Sequence, residues 1–113
     1  MVDSIAKKIH VVDSIVDSLK IDNICTSVTR VESLNSKHDF IVSRAVTNMS
    51  KFLNLTKGRI NKGGHNSLSN GIVYLKGGDL SEELQDIKNQ IYNISDYFEE
   101  DFFETKKIVY VGI

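Results

Sequence analysis

The chain has no proline and no tryptophan, a single cysteine, and no apolar run of membrane-spanning length. Most of these absences exclude something. One cysteine cannot close an internal disulfide, and such sparing use fits a reducing compartment. A spanning helix needs about 20 apolar residues, and the N-terminus carries no secretory pattern. A cytoplasmic protein with no membrane partner is therefore expected. Charge of one sign is also lacking: the formal net charge is −1. The molecule as a whole has no electrostatic drive toward nucleic acid, so such a role needs a local basic patch. The three histidines, at positions 10, 38 and 65, lie far apart without ligand spacing, which argues against a metal site. No acid–base dyad stands out, and no catalytic residue is assigned. The missing proline implies nothing about function.

What is present describes one α/β domain over residues 1–113, with 41% hydrophobic residues to build a core. Ser4 can cap a helix over 5–20, whose Ile5, Ile9, Val12, Ile15, Val16 and Leu19 follow the spacing of one face. Ile24–Thr29 reads as a strand, with Cys25 as a buried, inert thiol inside it. Phe40–Ser43 is a second apolar strand. A helix opens near Asn48, carries Met49, Phe52 and Leu53, and fades by Gly58. Gly71–Leu75 is a third strand. Asp79 and Glu82 have capping-box spacing, and the helix after them presents Leu80, Leu84, Ile87 and Ile91. Ile94–Phe98 and Lys107–Val111 complete the chain as a strand pair. Tyr74 and Phe52 sit at core positions, and Tyr97, Phe98, Phe102 and Phe103 are assigned to core and edge packing, with the proviso that exposed members mark a partner surface.

Strands alternating with helices imply right-handed crossovers and a mostly parallel sheet, with a C-terminal antiparallel hairpin. In such a sheet, ligands sit beyond the carboxyl ends of the strands. The run Asp39-Phe-Ile-Val-Ser-Arg-Ala-Val46 delivers Arg44 there. A guanidinium offers a planar fork of donors to a carboxylate or a phosphate. The structural alternative is pairing with Asp39 or Glu32. Asp3 can accept ribose hydroxyls at a strand end, or offset a helix dipole. Val31 and Glu32 follow a strand, or form a solvated loop. The glycine-rich segment 57–70 is locally positive, and Lys57, Arg59 and Lys62, with Lys76, are candidates for contacts to phosphate.

Four segments, in order, resemble a known family. They are Val2-Asp3-Ser4-Ile5-Ala6-Lys7-Lys8, Thr29-Arg30-Val31-Glu32, Phe40-Ile-Val-Ser-Arg-Ala45 and Leu75-Lys76-Gly77. They resemble the C-terminal portion of bacterial 16S ribosomal RNA guanine-N7 methyltransferases, the glucose-inhibited division protein B family. The resemblance implies a partial class I, Rossmann-like methyltransferase fold lacking the first strand and helix. It implies S-adenosylmethionine as methyl donor, with Asp3, the backbone of Val31 and Glu32, and Arg44 as its binding residues. It implies small-subunit ribosomal RNA as partner. The family's glycine-rich cofactor turn has no counterpart here, so the chain reads as a truncated domain, inactive by itself. The alternative is a non-catalytic interaction module that dimerises through surfaces exposed by truncation. For either, the acidic, Val-Glu and Arg segments are expected along one rim of one sheet.

Overall fold

A computed structural model describes residues 1–113. The chain divides into two compact units, Met1–Asn35 and Ser36–Ile113. No helix is long and apolar enough to cross a membrane.

In the first unit, β1 (Val2–Asp3) and β2 (Ser27–Val28) pair in parallel around α1 (Ala6–Ser18). The pairing extends past both strands: Ser27 N–H donates to the Met1 carbonyl at 2.9 Å and Thr29 N–H to that of Asp3 at 3.0 Å. Ser4 does not cap the helix. Its N-cap is Ile5, with no side-chain cap, and Asp3 Oδ1 accepts the Ile5 N–H at 2.8 Å just ahead of the helix. A carboxylate two residues ahead reaches that orphan donor and also faces the positive helix end. The helix stops at Lys20, whose φ of 53° takes the left-handed turn that ends helices. Of the expected apolar face, Ile9 is buried, Val12 and Val16 are half-buried, and Ile5, Ile15 and Leu19 are exposed. The strand expected over Ile24–Thr29 shrinks to two residues, because Thr26 turns its hydroxyl to Asp13 Oδ1 on α1 at 2.6 Å. Cys25 lies outside the strand and is exposed, not buried.

The second unit holds β3 (Phe40–Arg44), α2 (Met49–Thr56), β4 (Gly71–Gly77), α3 (Ser81–Leu84), β5 (Gln90–Asn93) and β6 (Lys106–Gly112). Two 3₁₀ turns, Ile94–Asp96 and Asp101–Phe103, lie between β5 and β6. The sheet order is β3-β4-β6-β5: β3 and β4 are parallel, and β6 runs antiparallel to both β4 and β5. This is the mixed α/β sheet with an antiparallel C-terminal hairpin that the element order implies. The strands do not form one sheet, however. The link 29–39 contains a 3₁₀ turn, Val31–Ser33, and no α-helix. Parallel neighbours need a long crossover, usually helical, so β2 and β3 fall in separate sheets.

The hairpin's first strand is Gln90–Asn93, not Ile94–Phe98. Ser95 and Asp96 sit in a 3₁₀ turn there, as short polar side chains favour. Ile91 belongs to β5, not to the helix after Asp79, which ends at Leu84. Just before β5, Asn89 Nδ2 donates back to the Ile87 carbonyl at 2.6 Å, a local side-chain bond of the kind that favours turns. The core gathers Met49 and Phe52 of α2, Ile72 and Tyr74 of β4, Leu80 and Leu84 around α3, and Val109 and Val111 of β6. Phe52 meets Tyr74 edge to face, with ring centroids 4.7 Å apart. Among the four C-terminal aromatics, Tyr97, Phe98 and Phe102 are exposed, against the core assignment and in line with the proviso for a partner surface.

Candidate functional site

Asp3 ends β1, and its backbone carbonyl binds Thr29, two residues before Val31. Asp3, Val31 and Glu32 therefore gather at the carboxyl ends of the first unit's parallel strands. Asp3 is half-buried; Oδ1 accepts the Ile5 N–H, while Oδ2 faces Lys8 Nζ at 3.7 Å. Val31 and Glu32 open a 3₁₀ turn, so their peptide groups project past the strand end.

Arg44 is the last residue of β3 and stands opposite Leu75 of β4, with Lys76 following. Asp39 cannot be its partner. It lies a strand length away at the other end of β3, where its Oδ1 accepts from Asn61 Nδ2 at 2.9 Å and Asn70 Nδ2 at 3.3 Å. The next residue, Ala45, has φ of 54°, a left-handed conformation that costs a side-chain-bearing residue about 1–2 kcal/mol. The conformation is held from β4. The Tyr74 hydroxyl accepts the N–H groups of Val46 and Thr47 at 3.0 and 2.9 Å and donates to the Thr47 carbonyl at 2.7 Å. Lys76 Nζ reaches that same carbonyl at 2.9 Å, pairs with Glu83 Oε1 at 2.5 Å, and lies 4.4 Å from the centre of the Tyr74 ring. Glu83 also accepts the Met49 N–H at 2.5 Å, joining the start of α2 to α3. Strand end, turn and both helices are thus tied by one polar network. Sequence reasoning missed Tyr74 and Glu83 as parts of it; Tyr74 reads as a core aromatic and Glu83 as a surface helix residue. A hydroxyl on a buried ring needs a partner, and that was the available signal.

Beside the network opens a cleft of about 530 Å³. One wall is Arg44, Ala45 and Thr47; another is the end of β4; Ile94, Phe102, Phe103 and Lys106 close the third. The reversed direction of β6 makes this possible: Lys106 pairs with Gly77, so the residues leading into β6 arrive where β3 and β4 finish. The structure brings Arg44 and Lys76 together here. It does not bring Lys57, Arg59 or Lys62. His38 N–H donates to the Arg59 carbonyl at 2.9 Å, and Asn61 N–H to that of His38 at 2.9 Å. The 57–62 segment is therefore fastened to the amino end of β3, the opposite end of the sheet.

The fold is of the open α/β class, in which the crevice beyond the carboxyl ends of the parallel strands is the usual place for a ligand. Residues 1–108 match the family described as GidB, rRNA small subunit methyltransferase G, and the chain belongs to that family. It is 54% identical over 112 residues to the Ribosomal RNA small subunit methyltransferase G of Christiangramia forsetii, covering 98% of this chain and 53% of the relative. The protein of the same name from Flavobacterium psychrophilum is 51% identical over 114 residues, covering 100% of this chain and 54% of the relative. That from Phocaeicola vulgatus is 39% identical over 115 residues, covering 100% and 55%. The chain thus spans about half the length of these curated relatives.

Proposed function

We propose that this chain is the portion of a cytoplasmic small-subunit ribosomal RNA methyltransferase that holds the methyl donor and receives the RNA, and that the methyl group goes from S-adenosylmethionine to guanine N7. The observation that carries the reading is the Ser43-Arg44-Ala45 strand end, kept in a left-handed turn by Tyr74 at the mouth of a cleft. Strain held by a second element is a mark of functional sites.

The residue types fit the methyl donor. Asp3 carries a carboxylate whose Oδ2 is not taken by the Ile5 N–H and faces only the exposed Lys8 at 3.7 Å, the right kind of acceptor for ribose hydroxyls. The exposed Arg44 suits the amino-acid carboxylate. The peptide groups of Val31 and Glu32 suit the edge of the adenine. When bound, S-adenosylmethionine would offer a methyl group on positive sulfur, which the guanine N7 lone pair would take as the sulfur leaves with the bonding pair. Guanine N7 carries no proton, so the chain needs no general base, and its site offers none. Its contribution is alignment, which is worth about 7–11 kcal/mol when two reactants are held in line at contact distance. Arg44, set by a turn it does not control, is such an aligning group. Lys57, Arg59 and Lys62, at the far end of the sheet, would meet phosphates away from the reacting base.

Calorimetric titration of S-adenosylmethionine into a version of the relatives' full length tests the reading. Binding should weaken about tenfold or more in Asp3→Asn and in Arg44→Ala, the loss of one charge-assisted bond each. A protein of that length that binds no S-adenosylmethionine refutes it. A second reading, a self-associating module, has the exposed Ile5, Ile15 and Leu19 of α1 behind it. A strict monomer by light scattering removes that reading.

A further inference from the structure

We propose that the Phe102–Lys106 wall of the cleft is a stacking site for an unpaired RNA base, with Lys106 taking a flanking phosphate. The proposal rests on the ribosomal RNA reading above and names the part of the RNA that enters the cleft.

Three observations point the same way. Phe102 is 69% exposed, although its neighbour Phe103 is packed against both Phe102 and Phe98 at centroid distances of 5.2 and 5.1 Å. The Phe102 ring is therefore fixed from one side and open on the other, as a stacking platform must be. Lys106 Nζ lies 5.0 Å from the centre of that ring, and Arg44 stands on the facing wall. An exposed aromatic ring with cations beside it, here on the 3₁₀ turn Asp101–Phe103 that leads into β6, is the combination that binds single-stranded nucleic acid. The lining holds no carboxylate. Glu99, Glu100, Asp101 and Glu104 occupy the same segment, yet all four stay outside it. They make the outer surface repel phosphate and leave the inner, cationic side as the attractive one. Lys76 contributes less charge to this wall because Glu83 neutralises it.

The size also fits. A cleft of about 530 Å³ lies in the range of about 300–1,000 Å³ typical of sites for one small molecule. It is a place for a single base with its ribose and phosphate, not for a duplex. A base within a helix is stacked on both faces and offers none to Phe102, so the occupant is an unstacked or extruded nucleotide.

The test measures binding of a fluorescein-labelled single-stranded oligoribonucleotide, and of the same sequence as a duplex, without methyl donor. The single strand should bind more tightly. Phe102→Ala should weaken it by between about fivefold and about a hundredfold, the range for losing one base–aromatic stack. It should leave duplex binding unchanged. Lys106→Gln should lower the slope of log affinity against log salt by about 0.7, one phosphate contact on a single strand. Phe102→Leu keeps apolar bulk and guards against misfolding; it should lose affinity like the alanine variant while melting like the parent. Unchanged single-strand affinity in both Phe102 variants, or no single-strand binding by the parent chain, overturns the proposal. The two readings separate cleanly. A protein that binds S-adenosylmethionine but ignores Phe102 keeps the enzyme and loses this site; one that binds RNA through Phe102 and no S-adenosylmethionine does the reverse.

Discussion

At the scale of single residues, the site depends most on one hydroxyl. Tyr74 is 1% exposed, and its oxygen satisfies two backbone N–H groups and one carbonyl of the 46–47 turn. Tyr74→Phe keeps the ring against Phe52 and removes only those bonds, leaving partly buried donors without a partner. The expected cost is about 1–3 kcal/mol in urea unfolding, together with a loosened Arg44. Ala45 makes the opposite case. Glycine there would relieve about 1–2 kcal/mol of left-handed strain but would add about 0.4–1 kcal/mol of unfolded-state freedom. Ala45→Gly should therefore shift stability by less than about 1.5 kcal/mol, whereas Ala45→Val should destabilise strongly, because a β-branched side chain cannot take φ of 54° without clash. If the valine variant matches the parent in urea, the turn is not under the strain argued here.

At the scale of elements, local chemistry decided most boundaries, and this explains what could be read from the sequence. The helix from Asn48 was legible because its cap is a side-chain interaction: Asn48 Oδ1 accepts the Lys51 N–H at 3.0 Å. The strands β3 and β4 were legible as apolar runs because both are built into a sheet with parallel pairing. The hairpin register was not. Leu80, Leu84, Ile87 and Ile91 keep helical spacing while the last of them faces a strand partner, Val109. Spacing alone cannot show that the helix stops at Leu84 and that the chain turns into β5 at Gln90. Nor could it show that Phe102 and Lys106 would share a cleft with Arg44, since that depends on β6 running backwards. Asp79 and Glu82 have capping-box spacing, but the N-cap is Leu80, and the Asp79 carboxylate accepts instead the Ser81 hydroxyl at 2.5 Å and the Ser81 N–H at 2.9 Å. The Ser81 hydroxyl, then the Ser81 N–H, and more weakly Lys107, hold its carboxyl below the usual range against a small opposing effect of burial. The sign follows from linkage: a depressed folded value adds stability that is complete above the unfolded value of about 3.9 and drains away as pH falls through the folded one. Ser81→Ala should raise the Asp79 midpoint toward that ordinary value in a carboxyl-carbon NMR titration. An unmoved midpoint would show that the backbone contact alone holds it.

At the scale of the whole molecule, the two units differ in how much holds each together. The second has a cluster of nine buried apolar side chains drawn from β4, β6 and the elements packed on them. The first has Ile9 as its one buried apolar residue, a two-residue strand pair, and α1 with Ile5, Ile15 and Leu19 in solvent. A segment the size of Met1–Asn35 lies below the roughly 40 residues at which an unaided core becomes sufficient. Local opening should therefore be cheap in α1 and should cost nearly the full unfolding free energy in β4 and β6. Native-state hydrogen exchange should find the α1 amides exchanging at least about a hundredfold faster than those of Ile72–Leu75 and Val109–Val111, a gap of about 2.7 kcal/mol. Equal protection would mean that the units open as one. Asp3, Val31 and Glu32, which the proposed reading gives to the methyl donor, belong to the first unit. Saturating S-adenosylmethionine, on the proposed reading, should slow exchange in α1 more than in β4. A ligand that meets an already rigid element has little left to order, whereas one that recruits a loosely held element adds its binding free energy to that element's protection.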